Sequence, residues 1–431
     1  NNAPLYVIDG IPMFVEANSL NPLLCYSPTD IESIDILKDA AATAIYGSRG
    51  ANGVIMIRTK VGKKNEKPQI SFGYSYSIAR PIKKYKVLNN SQFRTLYSEM
   101  INNSIDAYNK GYVWDYSQLE YFANISKLGD VNPYTGGESI KFQGLKSDAF
   151  GNENIDWQDE IERTNAGTHQ YNVAVRGGSN STIYSVSFHG SNKEGIYKND
   201  NLNTYGGRLS LETDLTKGIK IGTNASYSES KRNFSLSDEF YWYTQPFVVR
   251  PDLPIKNSAG DYNKIDEIGM MGGNGLYSPN PVAMLNMKNS HESSQLLANA
   301  YAEFSIYKGL KFRADYGHTN YKYESSYFRP IITQQDQSIL GESPISTLTL
   351  WNGIYKTSTA NFQVDYKLDT GKHNINALLG YGTERTRNVL TTLTYEGFPN
   401  DEVLNNVASA KWSSGQNQIL QKHGLNSWLT R

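Results

Sequence analysis

Cysteine, histidine, net charge and long apolar runs are all scarce in this chain of 431 residues, and each shortage removes a class of function. The single cysteine, Cys25, cannot form an intrachain disulfide, and with no histidine near it in sequence it reads as a small packing or loop residue. The six histidines, His169, His189, His291, His318, His373 and His423, are scattered along the chain with no HExxH and no close pair, so no metal site or other cofactor is expected. GxSxG is absent as well. Paired acids such as Asp156 with Asp159, or Asp238 with Glu239, are what a chain with 42 acidic residues offers by chance, and no enzyme is expected. Against those acids stand 42 basic residues, so the formal charge is zero and no bulk electrostatic case for nucleic acid exists. Mean hydropathy is −0.54, and no apolar run has the length of a bilayer-spanning helix. No basic-then-apolar leader precedes Asn1, which stands directly before a strand pattern, so the chain is expected to begin in mid-domain.

What is abundant is tyrosine, 31 residues, together with alternation of period two. Ile70, Phe72, Tyr74, Tyr76 and Ile78 share one face of a predicted strand, while Ser71, Gly73, Ser75 and Ser77 share the other. The split recurs with Tyr184, Val186 and Phe188 against Ser185, Ser187 and His189. It recurs again with Leu209 and Leu211 against Arg208 and Ser210, and with Phe362, Val364 and Tyr366 against Gln363 and Asp365. A transmembrane barrel alternates lipid-facing and lumen-facing residues in this way, which keeps average hydropathy low, and its aromatic girdles use residues such as tyrosine. About ten such strands can be counted, each long enough to reach the ~9–11 residues that a tilted membrane strand needs.

Connection lengths add a polarity. Short turns at Gly177 to Ser181, Thr216 to Gly218, Lys308-Gly309 and Asp369 to Lys372 alternate with long segments at 80–168, 191–201, 233–292, 324–350 and 388–416. Barrels have short periplasmic turns and longer extracellular loops. Within 80–168 a helix is predicted from about Ser91 to Lys110, so this loop is expected to be folded. On the lumen face, positions such as Ser187 and Ser210 are expected to tolerate arginine, whereas Val186 and Leu211 are not.

The start of the chain has a different texture. Two apolar segments, Leu5 to Ile8 and Ile31 to Leu37, predict strands. Asp39 offers an N-cap to an alanine-rich turn of helix that ends near Tyr46 and Gly47, and Arg49, Gly50 and Gly53 lead into a strand from Val54 to Thr59. The glycine spacing is neither the dinucleotide fingerprint nor the Walker loop. The run Leu5-Tyr6-Val7-Ile8-Asp9-Gly10-Ile11-Pro12, with the segment from Asp30 to Lys60, resembles the second half of the plug domain of SusC/RagA-type TonB-dependent outer-membrane transporters. Asn154 to Ile161, Arg176 to Ser179 and Glu194-Gly195-Ile196 resemble the same family's early barrel strands.

The resemblance implies a mainly β protein. It would comprise a small α+β plug over residues 1–66 and part of a transmembrane antiparallel barrel over 67–431, in a class with 22 strands in full. It implies TonB-dependent import of oligosaccharides, or of oligopeptides, across the outer membrane of a Gram-negative bacterium. It further implies a SusD-like lid lipoprotein, outer-membrane lipid around the wall, and contact with TonB through a segment outside this chain. The plug motif expected to be structural is Asp9, Gly10, Asp39, Tyr46, Gly47, Arg49, Gly50 and Gly53. Tyr241, Trp242 and Tyr243, with Trp114 and Tyr112, are the expected substrate-facing residues, because sugar rings and peptide side chains both stack on aromatics. The competing expectation is an extracellular, non-catalytic carbohydrate-binding β-protein.

Overall fold

The computed structural model describes residues 4–13, 26–38, 50–110, 150–234, 246–247, 249–263, 280–331, 345–369, 371, 374–399 and 406–430. It contains a sheet of four strands and a sheet of ten. In the smaller sheet, β1 (Leu5–Ile8) and β2 (Ile11–Met13) form a hairpin across Asp9 and Gly10, with Ile8 opposite Ile11. Both turn residues have positive φ, 47° and 85°, which is the backbone that an Asp-Gly type I′ turn requires. β1 also pairs in parallel with β4 (Val54–Thr59), and β4 pairs antiparallel with β3 (Ile31–Leu37). Val7, Val54 and Ile57 are fully buried between these strands.

The ten strands of the second sheet are β5 (Gln69–Ala79), β6 (Ala166–Gly178), β7 (Thr182–Glu194), β8 (Asn201–Thr216) and β9 (Ile219–Phe234), followed by β10 (Lys288–Tyr307), β11 (Leu310–Arg329), β12 (Thr347–Asp369), β13 (Asn374–Glu396) and β14 (Trp412–Thr430). Each pairs antiparallel with its sequence neighbours, so the sheet is one continuous meander with β5 and β14 at its edges. It is not the pair of packed sheets that a carbohydrate-binding sandwich would need.

The expected alternation of short and long connections is present, with boundaries that differ. Links 179–181, 217–218, 308–309 and 370–373 lie at one end, and links 80–165, 195–200, 235–287, 330–346 and 397–411 at the other. Strands therefore continue well into the segments expected as loops at 191–201, 324–350 and 388–416. The reason is physical. A strand of 23 residues such as β12 is ~75 Å long and rises ~55 Å at the usual tilt, about twice the ~25 Å apolar band of such barrels. Beyond the band the apolar signal of period two shortens, with Phe328 and Leu348 packed on Phe398, while the hydrogen-bond ladder goes on.

The larger sheet is polar on its covered face. Ser185, Ser187, Arg208, Ser210, Ser226 and Ser228 are buried, while Phe188, Leu209 and Tyr227 on the opposite pleat are exposed. This reverses the sorting of a soluble sheet and matches a wall with lipid on one side and plug on the other. No helix among the described residues is long and apolar enough to cross a membrane, as a strand-spanning protein requires.

Candidate functional site: the seam between plug and wall

The described residues that are buried, charged and shared between the two sheets lie along one seam. Asp9 leaves the β1–β2 turn with its carboxylate accepting from the Thr59 backbone N–H at 2.9 Å and from the Thr59 hydroxyl at 2.7 Å. Its Oδ2 also accepts from Arg208 Nη2 on β8 at 3.2 Å, and Arg208 Nη1 donates to the Lys60 carbonyl at 3.1 Å. Arg208 is thereby held by one plug carboxylate and one plug carbonyl.

A second latch lies beside the first. Asp30 closes a one-turn 3₁₀ helix, Pro28–Asp30, whose N-cap is Ser27. Its carboxylate accepts from Arg176 Nη2 on β6 at 3.0 Å and from the Ser187 hydroxyl on β7 at 2.6 Å, and the residue is 3% exposed. The Asp30 carbonyl takes the Lys60 N–H at 2.7 Å, so the two latches meet at Lys60. Beyond them, the Tyr26 hydroxyl meets Ser226 Oγ at 3.0 Å, and Ile8, Tyr26 and Ile57 pack on Leu297 of β10.

Elsewhere on the same inner wall the charges pair among themselves. Lys220 meets Glu212 at 2.8 Å, Lys311 meets Glu303 at 2.8 Å, and Arg313 meets Asp315 at 2.8 Å. Arg176 and Arg208 differ because their carboxylate partners belong to the plug. Removing the plug would leave both guanidiniums without those partners, a cost that favours the docked arrangement.

Over the opposite end of the wall, the two longest connections fold onto each other. The first contributes helices α1 (Asn90–Asn109) and α2 (Trp157–Ile161). Trp157, 1% exposed, packs with Val249 and donates its indole N–H to the Arg250 carbonyl at 3.0 Å. Arg250 Nε donates to Asp252 Oδ1 at 2.6 Å, and Asp252 Oδ2 in turn accepts from the Gly151 N–H at 2.7 Å. The Arg250 guanidinium sits 5.4 Å from the centroid of the Phe93 ring on α1. Ile161, Met284 and Met287 form a further cluster. Around this unit Ile82, Leu88, Leu96 and Met100 remain exposed.

Of the expected plug residues, Asp9 and Gly10 make the hairpin turn. The Gly53 N–H donates to the Gly50 carbonyl at 2.9 Å, and Gly53, at φ +90°, has room for a Cβ only at 3.2 Å from the Leu37 carbonyl. Asp39, Tyr46, Gly47 and Arg49 lie outside the described residues, as do Tyr112, Trp114, Tyr241, Trp242, Tyr243 and Cys25. Sequence reasoning missed Asp30, Arg176, Ser187 and Arg208 as a seam. The signal was an arginine set among serines on the polar pleat of a strand. The expectation that Ser187 would tolerate arginine is overturned: it is buried and bonded to Asp30, because the plug covers the wall there.

The TonB-dependent receptor plug domain family matches residues 1–54. The chain is 28% identical to the TonB-dependent receptor SusC of Bacteroides thetaiotaomicron over 68% of its own length and 27% of that protein. It is 27% identical to TonB-dependent receptor P3 of Formosa agariphila, over 84% of this chain and 31% of that one. In fold it superposes on a chain of the RagAB peptide importer in the closed-closed state with a TM-score of 0.73 at 23% identity, covering 100% of this chain and 46% of the other. The chain thus spans less than a third of the length of each of these two relatives.

Proposed function

We propose that this chain, which is similar to TonB-dependent receptors of the SusC/RagA type, forms part of the wall and plug of an active importer of oligosaccharides or oligopeptides in a bacterial outer membrane. The observation that carries the reading is the seam: a polar wall face whose arginines are completed by carboxylates of a separate sheet. A plug held in this way blocks the lumen until work is done on it. The latches are few, local and electrostatic, so a pull on the plug can break them in sequence without unfolding the wall. That work would come from TonB acting on a segment outside this chain.

Oligosaccharide is the first cargo class proposed. The neutral charge gives no basic funnel for anionic cargo, and Tyr112, Trp114, Tyr241, Trp242 and Tyr243 would supply stacking surfaces. Oligopeptide is the second reading, favoured by the RagAB peptide importer as a fold neighbour. A SusD-like lid would dock on the folded loop unit, where Ile82, Leu88, Leu96 and Met100 offer exposed apolar surface. No chemistry is assigned to the chain; its work is gating and passage.

The test is uptake by cells carrying the full-length protein, with and without the TonB complex, using labelled oligosaccharides and oligopeptides in parallel. The reading requires accumulation of one class that disappears without TonB. Equal accumulation in both strains for every cargo would overturn it.

A further inference from the structure

We infer that the outward face of β12, β13 and β14 carries a binding site for the phosphate groups of a membrane glycolipid. The register puts Lys356 directly opposite Arg387, and Arg387 directly opposite Lys422, so one row across three adjacent strands is wholly cationic. Arg385 stands on the same pleat one step nearer the short turns. All four side chains are exposed, and among the described residues none makes an ion pair or hydrogen bond.

The face is set by the pleat. Leu297 packs against the plug and is in register with Thr319, Thr357, Thr386 and His423, which fixes the inner row. Lys356, Arg385, Arg387 and Lys422 have the opposite parity. Every carboxylate of β12 and β13, namely Asp365, Asp369, Glu384 and Glu396, falls on the inner parity, and β14 contains none. In a chain with zero formal charge this sorting leaves a surface of one sign.

Like charges directly opposite across strands destabilise a sheet. Among the described residues no acid stands beside this row of three, which calls for an external anion. Its height says which kind. Ten residues separate Lys356 from Tyr366, the outward residue near the short-turn end of β12, which is roughly 33 Å along the strand and about 25 Å of rise, the height of the apolar band. The row therefore sits where the far leaflet's headgroups begin. Six residues nearer the short turns on each strand, roughly 20 Å along it, lie Phe362, Tyr381 and Trp428, with the Tyr381 and Trp428 rings 4.8 Å apart. Phe362 is 44% and Trp428 73% exposed, a surface for acyl chains. Cations above aromatics match one molecule that has phosphates above acyl chains, and a guanidinium can grip phosphate through two parallel hydrogen bonds. A free polyanion would leave the aromatic row unused.

The inference rests on the wall being in a membrane, so its test reads insertion separately. Full-length protein is purified from its native outer membrane and delipidated. It is then placed in phosphatidylethanolamine nanodiscs with increasing diphosphorylated lipid A, and bound lipid is counted by native mass spectrometry. Heat-modifiable gel migration reports the folded, inserted barrel. Lys356→Gln/Arg387→Gln/Lys422→Gln should insert normally yet bind lipid A roughly a hundredfold more weakly, about fivefold for each cation removed. Arg387→Lys keeps the charge but not the paired hydrogen bonds and should bind better than the triple variant and less well than wild type, and Lys422→Gln alone gives an intermediate if the triple variant does not fold. Unchanged lipid A binding in the folded triple or single neutral variants would overturn the inference. So would displacement of lipid A by inorganic phosphate at equal concentration, which would make the site one for free phosphate.

Discussion

Neutralising Arg208 tests whether the seam holds the plug. Arg208→Gln keeps polarity but is shorter, and it removes the charge facing Asp9 and the donor to the Lys60 carbonyl. Breaking one side of a buried ion pair costs about 3–5 kcal/mol, and because Asp9 keeps both Thr59 donors the low end applies. A change of ~3 kcal/mol in the docked plug multiplies the displaced population about a hundredfold. The full-length variant in a planar bilayer should therefore show frequent open-channel events where the wild type shows few. Arg313→Gln is the control, since it removes a cation from the same inner wall whose carboxylate partner is Asp315 on its own strand. Asp9→Asn completes a double-mutant cycle, because asparagine tolerates the φ of +47° at that turn while losing the charge and one of the two acceptor oxygens. Wild-type conductance in Arg208→Gln, or equal leak in Arg208→Gln and Arg313→Gln, would refute the latch.

Some of this was legible in residues and some was not, for identifiable reasons. Val186 and Leu211 could be placed on the outward pleat because each sits in an apolar alternation of period two. The extensions over Leu348 to Lys356 and Asn388 to Glu396 could not, since their apolar residues keep no long alternation, and Leu348 and Leu350 pack with Phe328 and Phe398 instead. The hairpin strand Ile11–Met13 went unread although Asp9-Gly10 is a strong short-range turn signal; a proline within so short a run demotes it. Asp30 carries no local signature of its role. Its partners Arg176 and Ser187 are 146 and 157 residues away, and only the meander's register brings them together.

The remaining predictions bear on faces, turns and loops. Val186→Arg or Leu211→Arg should weaken assembly into vesicles by ~2–4 kcal/mol if the site lies near the midplane; an unaffected yield would place these residues away from lipid. Gly309→Ala should lower folding yield more than Gly10→Ala, because both have positive φ but only at Gly309 would a Cβ lie 2.1 Å from a carbonyl, that of Lys367; equal yields would contradict this geometry. Trp157→Phe tests the loop unit. Phenylalanine keeps most of the apolar bulk against Val249 but cannot donate to the Arg250 carbonyl, which then stays buried without that partner at a cost of about 1–3 kcal/mol. Since Arg250 also holds Asp252, and Asp252 holds Gly151, the loss reaches both connections at once. Limited proteolysis of membrane-embedded protein should then cut both the 80–165 and the 235–287 connection faster, while the barrel stays heat-modifiable. Faster cutting of only one of them would mean that the two loops fold independently, and the shared docking surface would have to be abandoned.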